Sequence, residues 1–426
     1  MDFKFENLVL IVGTNPLPNY VVANYFIQKN INLKKIYLLH SEQTHTQAGT
    51  NTYAENLTIQ LTVLIEKLGK KIKVAFQNLQ IEDVAKKSSI KRVVQDQIID
   101  KIEGWSKVHL DYTGGTKSMT TYTYLTFHNN NKNLEMSYSY LDARGYKLVF
   151  DNSYIEYNLL KIVSISFSQL IGLHGFIRRN TDKYEILKTF EDPLKEFSNL
   201  IEKGNINNFY NKKDGYTRKI YLNKEGKLDP SVDESSVKFK EHYSSTNPIN
   251  SEFSSVVGHM NADLKIFNSE GIFNCKISKK NLTRAAKFLD GDWLELYVHQ
   301  LLKEKPLSDY ENLLDWEIKK PVWKNNYFQI DNILMKGYQL IGISCTTAYE
   351  KSLCKNKGFE ILLRTQQIGG SEAKSVLLTR MPKQNVETLQ EDLVVDTGTG
   401  RNNIKVLGVE SWKKDKFIEE IISFIE

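Results

Sequence analysis

The sequence predicts an α/β fold in two parts: a doubly wound sheet near the N-terminus and a second α/β domain near the C-terminus. Residues 7–13 form a near-continuous apolar run that ends in glycine, which is typical of a parallel strand covered on both faces. Strand-like and helix-like patterns then alternate along the first 150 residues, as in doubly wound sheets. A Gly-Gly turn follows a strand pattern at 105–110 and opens a helix pattern at 119–127.

The other N-terminal elements follow from the same periodicities. Helix patterns occupy 21–26, 58–68 and 84–102, strand patterns occupy 35–39 and 72–76, and a hairpin pattern spans 134–150. Ligands of doubly wound sheets bind beyond the carboxyl ends of the strands, near the point where the strand order reverses. The polar stretches at 13–15, 40–44 and 113–117 each follow a strand, so we expect them to line one crevice. A dinucleotide is not expected there, because the first stretch lacks the G-x-G-x-x-G fingerprint.

The glycine turn has the chemistry of an anion site. Backbone N–H groups and the helix dipole converge where a strand leads into a helix, and both favour negative charge. Lys117 adds a cation, and Thr113, Thr116 and Ser118 add hydroxyl groups. The turn is not a Walker A loop, since Thr116 stands where that motif requires glycine. The alternative is a strand-to-helix turn that needs glycine only for its backbone conformation.

Composition narrows the functional classes. A chain of 426 residues predicts two or three domains, and no apolar run approaches the ~18 residues of a membrane span, so no membrane partner is expected. Three cysteines without a Cys-x-x-Cys pair indicate a reducing, cytoplasmic location and no structural zinc. Residues 1–150 carry 18 Lys and Arg against 13 Asp and Glu, an excess that suits an anionic ligand in that part of the chain.

Three domains are expected: residues 1–155, a helical and polar connector at 156–280, and a C-terminal domain at 281–426. Residues 155–206 have mostly helical patterns, while the polar stretch 207–250 is predicted to be loosely structured. The patterns of the C-terminal domain predict helices at 289–302, 358–367 and 413–424, and strands at 315–318, 327–335, 339–345, 375–379 and 404–409.

Two carboxylates of the C-terminal domain are candidate metal ligands. Glu295 lies on its first helix, and Asp331 lies inside an apolar strand, where a charge is costly unless it binds something. If the two are close in space, their oxygens suit Mg²⁺ or Mn²⁺, which can activate water and stabilise charge on a phosphodiester. The alternative is that Asp331 faces solvent and Glu295 is an ordinary helix carboxylate.

Two motifs in the first 150 residues, Gly-Thr-Asn-Pro at 13–16 and Asp-Tyr-Thr-Gly-Gly-Thr-Lys-Ser-Met at 111–119, carry a family resemblance. They resemble the CARF domain, the Rossmann-like sensor of cyclic oligoadenylates in type III CRISPR defence. The resemblance implies a homodimer that binds one ring, with cyclic tetra-adenylate as the favoured activator, across its two-fold axis. The residues expected to form the ligand site are Gly13, Thr14, Asn15, Pro16, His40, Ser41, Thr44, Asp111, Thr113, Gly114, Gly115, Thr116, Lys117, Ser118 and Met119.

The C-terminal domain carries Gly-Asp-Trp-Leu-Glu at 291–295, Ile-Asp at 330–331 and Leu-Ile-Gly-Ile-Ser-Cys-Thr-Thr at 340–347. These motifs resemble a PD-(D/E)XK restriction-endonuclease-like domain, and the combination resembles the CARF-fused CRISPR ancillary nucleases. In that pattern the strand after the Asp ends in an acidic residue, any residue and Lys.

This sequence departs from the pattern, because Ser344, Cys345 and Thr346 stand at those three places. The missing groups could come from the following helix, where Lys355 and Lys357 precede Glu360 and helical spacing puts Lys357 beside Glu360. Residues 354–370 also resemble the subgroup of ancillary nucleases with a Ser/Thr-rich strand end, and Lys355 and Glu360 are the residues expected to supply the missing groups. The alternative for Lys355 is a solvated lysine before a helix.

The function expected from these resemblances is a metal-dependent nuclease that cuts RNA or DNA when a cyclic oligoadenylate binds. Its catalytic residues would be Glu295, Asp331, Lys355 and Glu360, with Glu295 and Asp331 as ligands of Mg²⁺ or Mn²⁺. Two other functions stay open. A catalytically dead C-terminal domain would make the protein a ligand-responsive regulator, and cleavage of the bound ring in the CARF crevice would make it a ring nuclease.

Overall fold

The computed structural model describes residues 3–44, 48–69, 74–151, 156–179, 188–229, 240–244, 248–267, 278–324 and 326–426. Its framework is two sheets with helices packed around them. Within those ranges, no helix is both long enough and apolar enough to span a bilayer.

The first sheet has the strand order β3-β2-β1-β4-β5-β6-β7. Its strands are β1 (Asn7–Ile11), β2 (Lys35–Ser41), β3 (Ala75–Ile81), β4 (Lys107–Asp111), β5 (Glu135–Asp142), β6 (Lys147–Phe150) and β7 (Glu156–Asn158). Its helices are α1 (Leu17–Lys29), α2 (Asn51–Lys67), α3 (Lys87–Val94), which continues as a π-helical turn (Gln95–Ile99), and α4 (Lys117–His128). Strands β1 to β5 are parallel, and β6 and β7 close the sheet with antiparallel pairs. The predicted doubly wound α/β fold is confirmed, and the strand order reverses between β1 and β4.

The second sheet has the strand order β13-β12-β11-β10-β9-β8, antiparallel from β8 to β11 and parallel from β11 to β13. Its strands are β8 (Ile177–Arg179), β9 (Glu311–Lys319), β10 (Phe328–Lys336), β11 (Gln339–Thr346), β12 (Lys374–Thr379) and β13 (Ile404–Leu407). The remaining helices are α5 (Phe167–Leu173), α6 (Glu191–Lys203), α7 (Ile206–Phe209), α8 (Ser251–Leu264), α9 (Lys279–Lys287), which leads into a π-helical turn (Phe288–Asp292), α10 (Trp293–Leu302), α11 (Lys351–Gly369), α12 (Lys383–Thr397) and α13 (Lys414–Ile425).

Several predicted elements differ from the structure. The strand predicted at 72–76 is β3, which begins at Ala75, and residues 70–73 lie outside the described part of the chain. Helix α11 begins at Lys351 rather than at residue 358, and α12 has no counterpart in the prediction. The stretch 155–206 contains two short strands, β7 and β8, because each adds an edge to one of the sheets.

The polar stretch 207–250, predicted to be loosely structured, contributes side chains to a folded core. Phe209, Tyr216 and Tyr221 are buried in the cluster that also contains α10 and the second sheet. Burying these three large side chains stabilises the folded stretch although most of its other residues are polar. The boundaries of the three predicted domains stay a prediction.

One hydrophobic cluster joins the two halves of the molecule. It extends from Phe26 of α1 through α5 to Ile330 of β10 and to Ile361 and Ile368 of α11. The first domain therefore packs directly against the helix that follows β11, and this contact connects the two candidate sites.

Candidate functional sites

The carboxyl ends of β1, β2 and β4 lie side by side at the edge of the first sheet where the sequence predicted a crevice. A Cβ atom on Gly13 would lie 3.0 Å from the Gly115 backbone nitrogen, so the loops after β1 and β4 are in contact. Gly115 has a φ of 81°, a left-handed conformation that favours glycine. The Thr50 hydroxyl accepts from the Ser41 N–H at 3.0 Å and donates to the Val12 carbonyl at 3.0 Å, which ties the end of β2 to the same place.

A buried polar network supports the glycine turn from below. Asp111 is fully buried, and its carboxylate accepts from the Thr113 N–H at 3.2 Å and the Ser139 hydroxyl at 2.8 Å. The Ser139 hydroxyl also contacts Nε2 of buried His109 at 2.8 Å. Burial raises the pKa of Asp111 to about 6 and lowers the pKa of His109 to about 3. These hydrogen bonds connect the turn to β4 and β5.

The predicted ligand residues differ in their access to the crevice. Those exposed to solvent are Thr14, Thr44, Gly115, Thr116 and Lys117, and those half-buried are Gly13, Asn15, Ser41, Thr113, Gly114 and Ser118. Four others are buried: Pro16, His40, Asp111 and Met119. Direct contact with a ligand stays a prediction for all of these residues. The Asp111 carboxylate accepts from the Thr113 N–H of the turn, and Met119 of α4 packs in the apolar cluster that also contains α3.

The glycine turn leads into α4 through a side-chain cap. The Thr116 hydroxyl accepts from the Met119 N–H at 3.2 Å and contacts the Ser118 hydroxyl at 3.0 Å. The Ser118 hydroxyl donates to the Val84 carbonyl at 2.5 Å. Lys117, the first residue of α4, is exposed and adds a cation at a helix N-terminus that already favours anions.

The second candidate site lies at the end of β11, where the charges of carboxylates from three elements act on one lysine. The Lys357 ammonium of α11 is 3.2 Å from the Glu360 carboxylate. Partial burial lowers the pKa of Lys357, but the nearby charges of Asp331, Glu360 and Glu295 outweigh it and raise that pKa overall. Glu295 on α10 is 9% exposed. Glu295, Asp331 and Glu360 thus all lie within electrostatic range of Lys357, and their role as site residues stays a prediction.

Asp331 is held in place by its neighbours on the sheet. Its Oδ2 accepts from the Cys345 N–H at 2.8 Å and from the Ser344 hydroxyl at 3.1 Å. The Asn332 side chain donates to the Glu295 carbonyl at 3.0 Å and so fixes α10 against β10 beside Asp331. Ser344 stands where the nuclease pattern has a carboxylate, and its hydroxyl donates a hydrogen bond to the Asp331 carboxylate.

Lys355 lies outside this cluster. Its ammonium is 2.6 Å from Asp396 and 3.7 Å from Asp392, both on α12. Residues two apart on an α-helix are rotated by roughly 200°, so Lys355 and Lys357 project from nearly opposite sides of α11. The prediction of Lys355 did not use helix geometry, because the helix was predicted to begin at residue 358. The signal in favour of Lys357 was its three-residue spacing from Glu360.

The carboxylates at this site could supply part of the coordination shell of a hard cation. Mg²⁺ is commonly held by one or two carboxylates together with substrate phosphates, and Glu295 and Asp331 offer carboxylates of this kind. In the described part of the chain, no three His, Cys, Asp or Glu side chains are grouped to hold a metal ion by themselves. A metal at this site would therefore need further oxygen ligands from water or from the substrate.

Helix α11 connects the two candidate sites. Lys357 and Glu360 lie in its first half, and its C-terminal Gly370 has a φ of 77°. A Cβ on Gly370 would lie 2.3 Å from the Asn15 amide nitrogen in the loop after β1. Ile368 of α11 is also buried in the apolar cluster that contains Leu173 of α5. At 1.5 Å per residue, the helix spans about 20 Å between the carboxylate cluster and the crevice loop.

Comparison with known proteins identifies the fold. No protein-family model matches the chain, and no curated protein matches it significantly. Can2 from Sulfobacillus thermosulfidooxidans, solved in complex with cyclic tetra-adenylate, is similar with a TM-score of 0.58 and 17% identity, over 97% of this chain and 98% of Can2. Protein VC1899 from Vibrio cholerae is similar with a TM-score of 0.62 and 15% identity, over 98% of each chain. At these identities the similarity shows a shared fold, in which a doubly wound α/β domain accompanies a second α/β domain.

Proposed function

We propose that this protein is a nuclease of type III CRISPR defence that cuts RNA or DNA when a cyclic oligoadenylate occupies the crevice of its first domain. The observation that carries the nuclease activity is the position of Lys357 in the field of Glu295, Asp331 and Glu360. A cation beside carboxylates at a strand end is suited to stabilise the charge that develops on a phosphodiester during hydrolysis.

The residues of the cluster take distinct roles. Glu295 and Asp331 would hold Mg²⁺ or Mn²⁺, which when bound supplies Lewis acidity and a more acidic water. Lys357 would stabilise the charge on the scissile phosphate, and Glu360 would hold its ammonium through their 3.2 Å contact. Ser344 orients Asp331 through its 3.1 Å hydrogen bond. In this proposal Lys357 takes the role that the sequence suggested for Lys355.

The ring would lie on the exposed part of the glycine turn. Its phosphates suit the backbone N–H groups at Gly115 and Thr116 and the ammonium of Lys117, with Thr14 on the adjoining loop. Cyclic tetra-adenylate is the proposed activator, which agrees with the overall similarity to Can2. A symmetric ring fits a homodimer, because a two-fold axis would present the same crevice from each copy.

Helix α11 provides a route from ring binding to cutting. A ring phosphate that displaces Asn15 would change its contact with Gly370, and α11 would carry that change to Lys357. A packed helix moves as a unit because the interior around it is close-packed. The ligand would then favour the arrangement in which Lys357 and the carboxylates are aligned for catalysis.

A second candidate is a catalytically inactive regulator that responds to the same ring. The strand end of β11 favours it, because Ser344 and Thr346 replace the carboxylate and lysine of the nuclease pattern. The Thr346 hydroxyl accepts from the Ala348 N–H at 3.2 Å and serves the turn that follows.

One experiment separates these functions. The protein is incubated with labelled single-stranded RNA, single-stranded DNA or plasmid, with and without Mn²⁺ and cyclic tetra-adenylate, beside Asp331→Asn. The nuclease proposal expects cleavage by the wild-type protein that needs both the ion and the ring, and none by the variant. Ring binding without cleavage of any substrate would establish the regulator, whereas conversion of the ring to linear products by Asp331→Asn would establish a ring nuclease.

A further inference from the structure

The β8 edge of the second sheet carries a basic surface next to the candidate nuclease site. It surrounds a depression of about 370 Å³. The lining residues, which we call the basic edge, are Arg179, Lys319, Lys324, Asn326 and Tyr327. Three of the five are cations and none is acidic. Neither Lys319 nor Lys324 has an ion-pair partner within the described ranges, so their charges are available to a ligand.

Contacts along the sheet connect the basic edge to Asp331. Gln329 donates to the Asp331 carboxylate at 3.3 Å and lies opposite Glu317 in the pairing of β10 with β9. The Glu317 carboxylate is 3.3 Å from the Arg179 guanidinium. Tyr327 precedes Asp331 by four residues, which corresponds to roughly 13 Å along an extended strand. A nucleic acid lying on the basic edge would therefore reach Asp331 within a few nucleotides.

The aromatic ring distinguishes this surface from a general patch of charge. The Arg179 guanidinium lies 4.6 Å from the centre of the Tyr327 ring, and 46% of the Tyr327 surface is exposed. An exposed aromatic ring among cations can stack an unpaired base while the cations contact the phosphates. Bases in a duplex are already stacked on each other, so this combination favours a single strand.

The opposite edge of the same sheet provides an internal comparison. The depression beside β13 is lined by four basic and four acidic side chains: Lys383, Arg401, Lys405, Lys416, Glu387, Glu391, Glu410 and Glu420. Two of its cations are paired, Lys405 with Glu420 at 2.6 Å and Arg401 with Glu391 at 3.7 Å. Its charges cancel, and it offers no attraction to a phosphate chain.

We propose that the basic edge binds the single-stranded nucleic acid that the nuclease site cuts, with a base on Tyr327 and phosphates on Lys319 and Lys324. This inference deepens the proposed function and depends on it for the identity of the substrate. It assigns substrate contacts to residues that lie outside the catalytic cluster.

The test measures binding separately from cleavage. Fluorescence anisotropy follows a labelled mixed-sequence single-stranded DNA, and its duplex, on Asp331→Asn protein with cyclic tetra-adenylate present, across a series of salt concentrations. Each phosphate contact to a single strand contributes about 0.7 to the slope of log K against log salt. The Lys319→Ala/Lys324→Ala pair should reduce that slope by about 1.4, while the matched Lys383→Ala/Lys416→Ala pair at the β13 edge should leave it unchanged.

The aromatic contact has its own readout. Tyr327→Ala should weaken single-strand binding by about fivefold or more at constant salt slope, and Tyr327→Phe should retain it. Equal slopes for both lysine pairs, duplex binding tighter than single-strand binding, or no binding by the Asp331→Asn parent would overturn the assignment of the basic edge. These binding results do not depend on cleavage. A wild-type protein that binds the single strand through the basic edge but cleaves no substrate would refute the nuclease proposal and leave the basic edge as a binding surface.

Discussion

Replacing Lys357 by alanine tests the catalytic assignment most directly. An ammonium about 4 Å from a phosphate charge contributes about 4 kcal/mol at an effective dielectric constant near 20 and about 1 kcal/mol in water. The Lys357 side chain is 50% exposed, so an intermediate contribution of about 2–3 kcal/mol is expected. That contribution corresponds to a decrease in kcat of roughly 30- to 160-fold.

The chain supplies a matched control two residues away. Lys355→Ala removes the same charge from the same helix, but its ammonium is paired with Asp396 and Asp392. We expect kcat of this variant to stay close to the wild-type value. Single-turnover cleavage of a labelled single strand, with saturating cyclic tetra-adenylate and Mn²⁺, measures both variants, and melting temperatures check that each is folded. Loss of activity in Lys355→Ala with full activity in Lys357→Ala would refute the reasoning.

Three further predictions concern the crevice and its link to α11. The Gly370→Ala variant places a Cβ against the Asn15 side-chain amide, at a position with a positive φ. Ring binding should persist, while the increase in cleavage that the ring causes should become smaller. An equal increase in the variant and the wild type would argue against the α11 route. Lys117→Ala should weaken ring binding in calorimetry without lowering the melting temperature, because Lys117 is exposed. An unchanged affinity would show that the ring phosphates do not bind at Lys117. The third prediction concerns pH. The pKa of Asp111 is about 6 in the folded protein, above the ordinary aspartate pKa of 3.8. Its contribution to stability is therefore fully present below pH 3.8 and is lost as the pH rises through 6. The pKa of buried His109 is lowered from 6.5 to about 3, so His109 makes the protein less stable as the pH falls. Without the opposing effect of Asp111, the melting temperature of Asp111→Asn should fall more steeply on acidification than that of the wild type. The same dependence of melting temperature on pH in both proteins would contradict the buried network.

Local patterns carried most of the fold prediction. The apolar run of β1 and the alternation of strands and helices reflect short-range periodicity, which a sequence displays directly. Helix α12 escaped prediction because only Val386, Leu389 and Leu393 of its residues are buried, too narrow an apolar stripe to stand out. The burial of Tyr216 and Tyr221 was equally hidden, since it depends on helices distant in the chain.

The candidate sites divide along the same line. By itself, the sequence predicted the glycine turn, the convergence of three strand ends, and the candidate pair Glu295 and Asp331, because residue type and position within an element suffice for these predictions. Tertiary structure alone decided that Asp111 supports the turn from below and that Lys357, on the opposite side of α11 from Lys355, faces the carboxylates. The basic edge likewise exists only after folding, because β8 brings Arg179 beside Lys319 and Tyr327 from the distant hairpin of β9 and β10. Such choices depend on which elements pack together, and no short stretch of sequence contains that information.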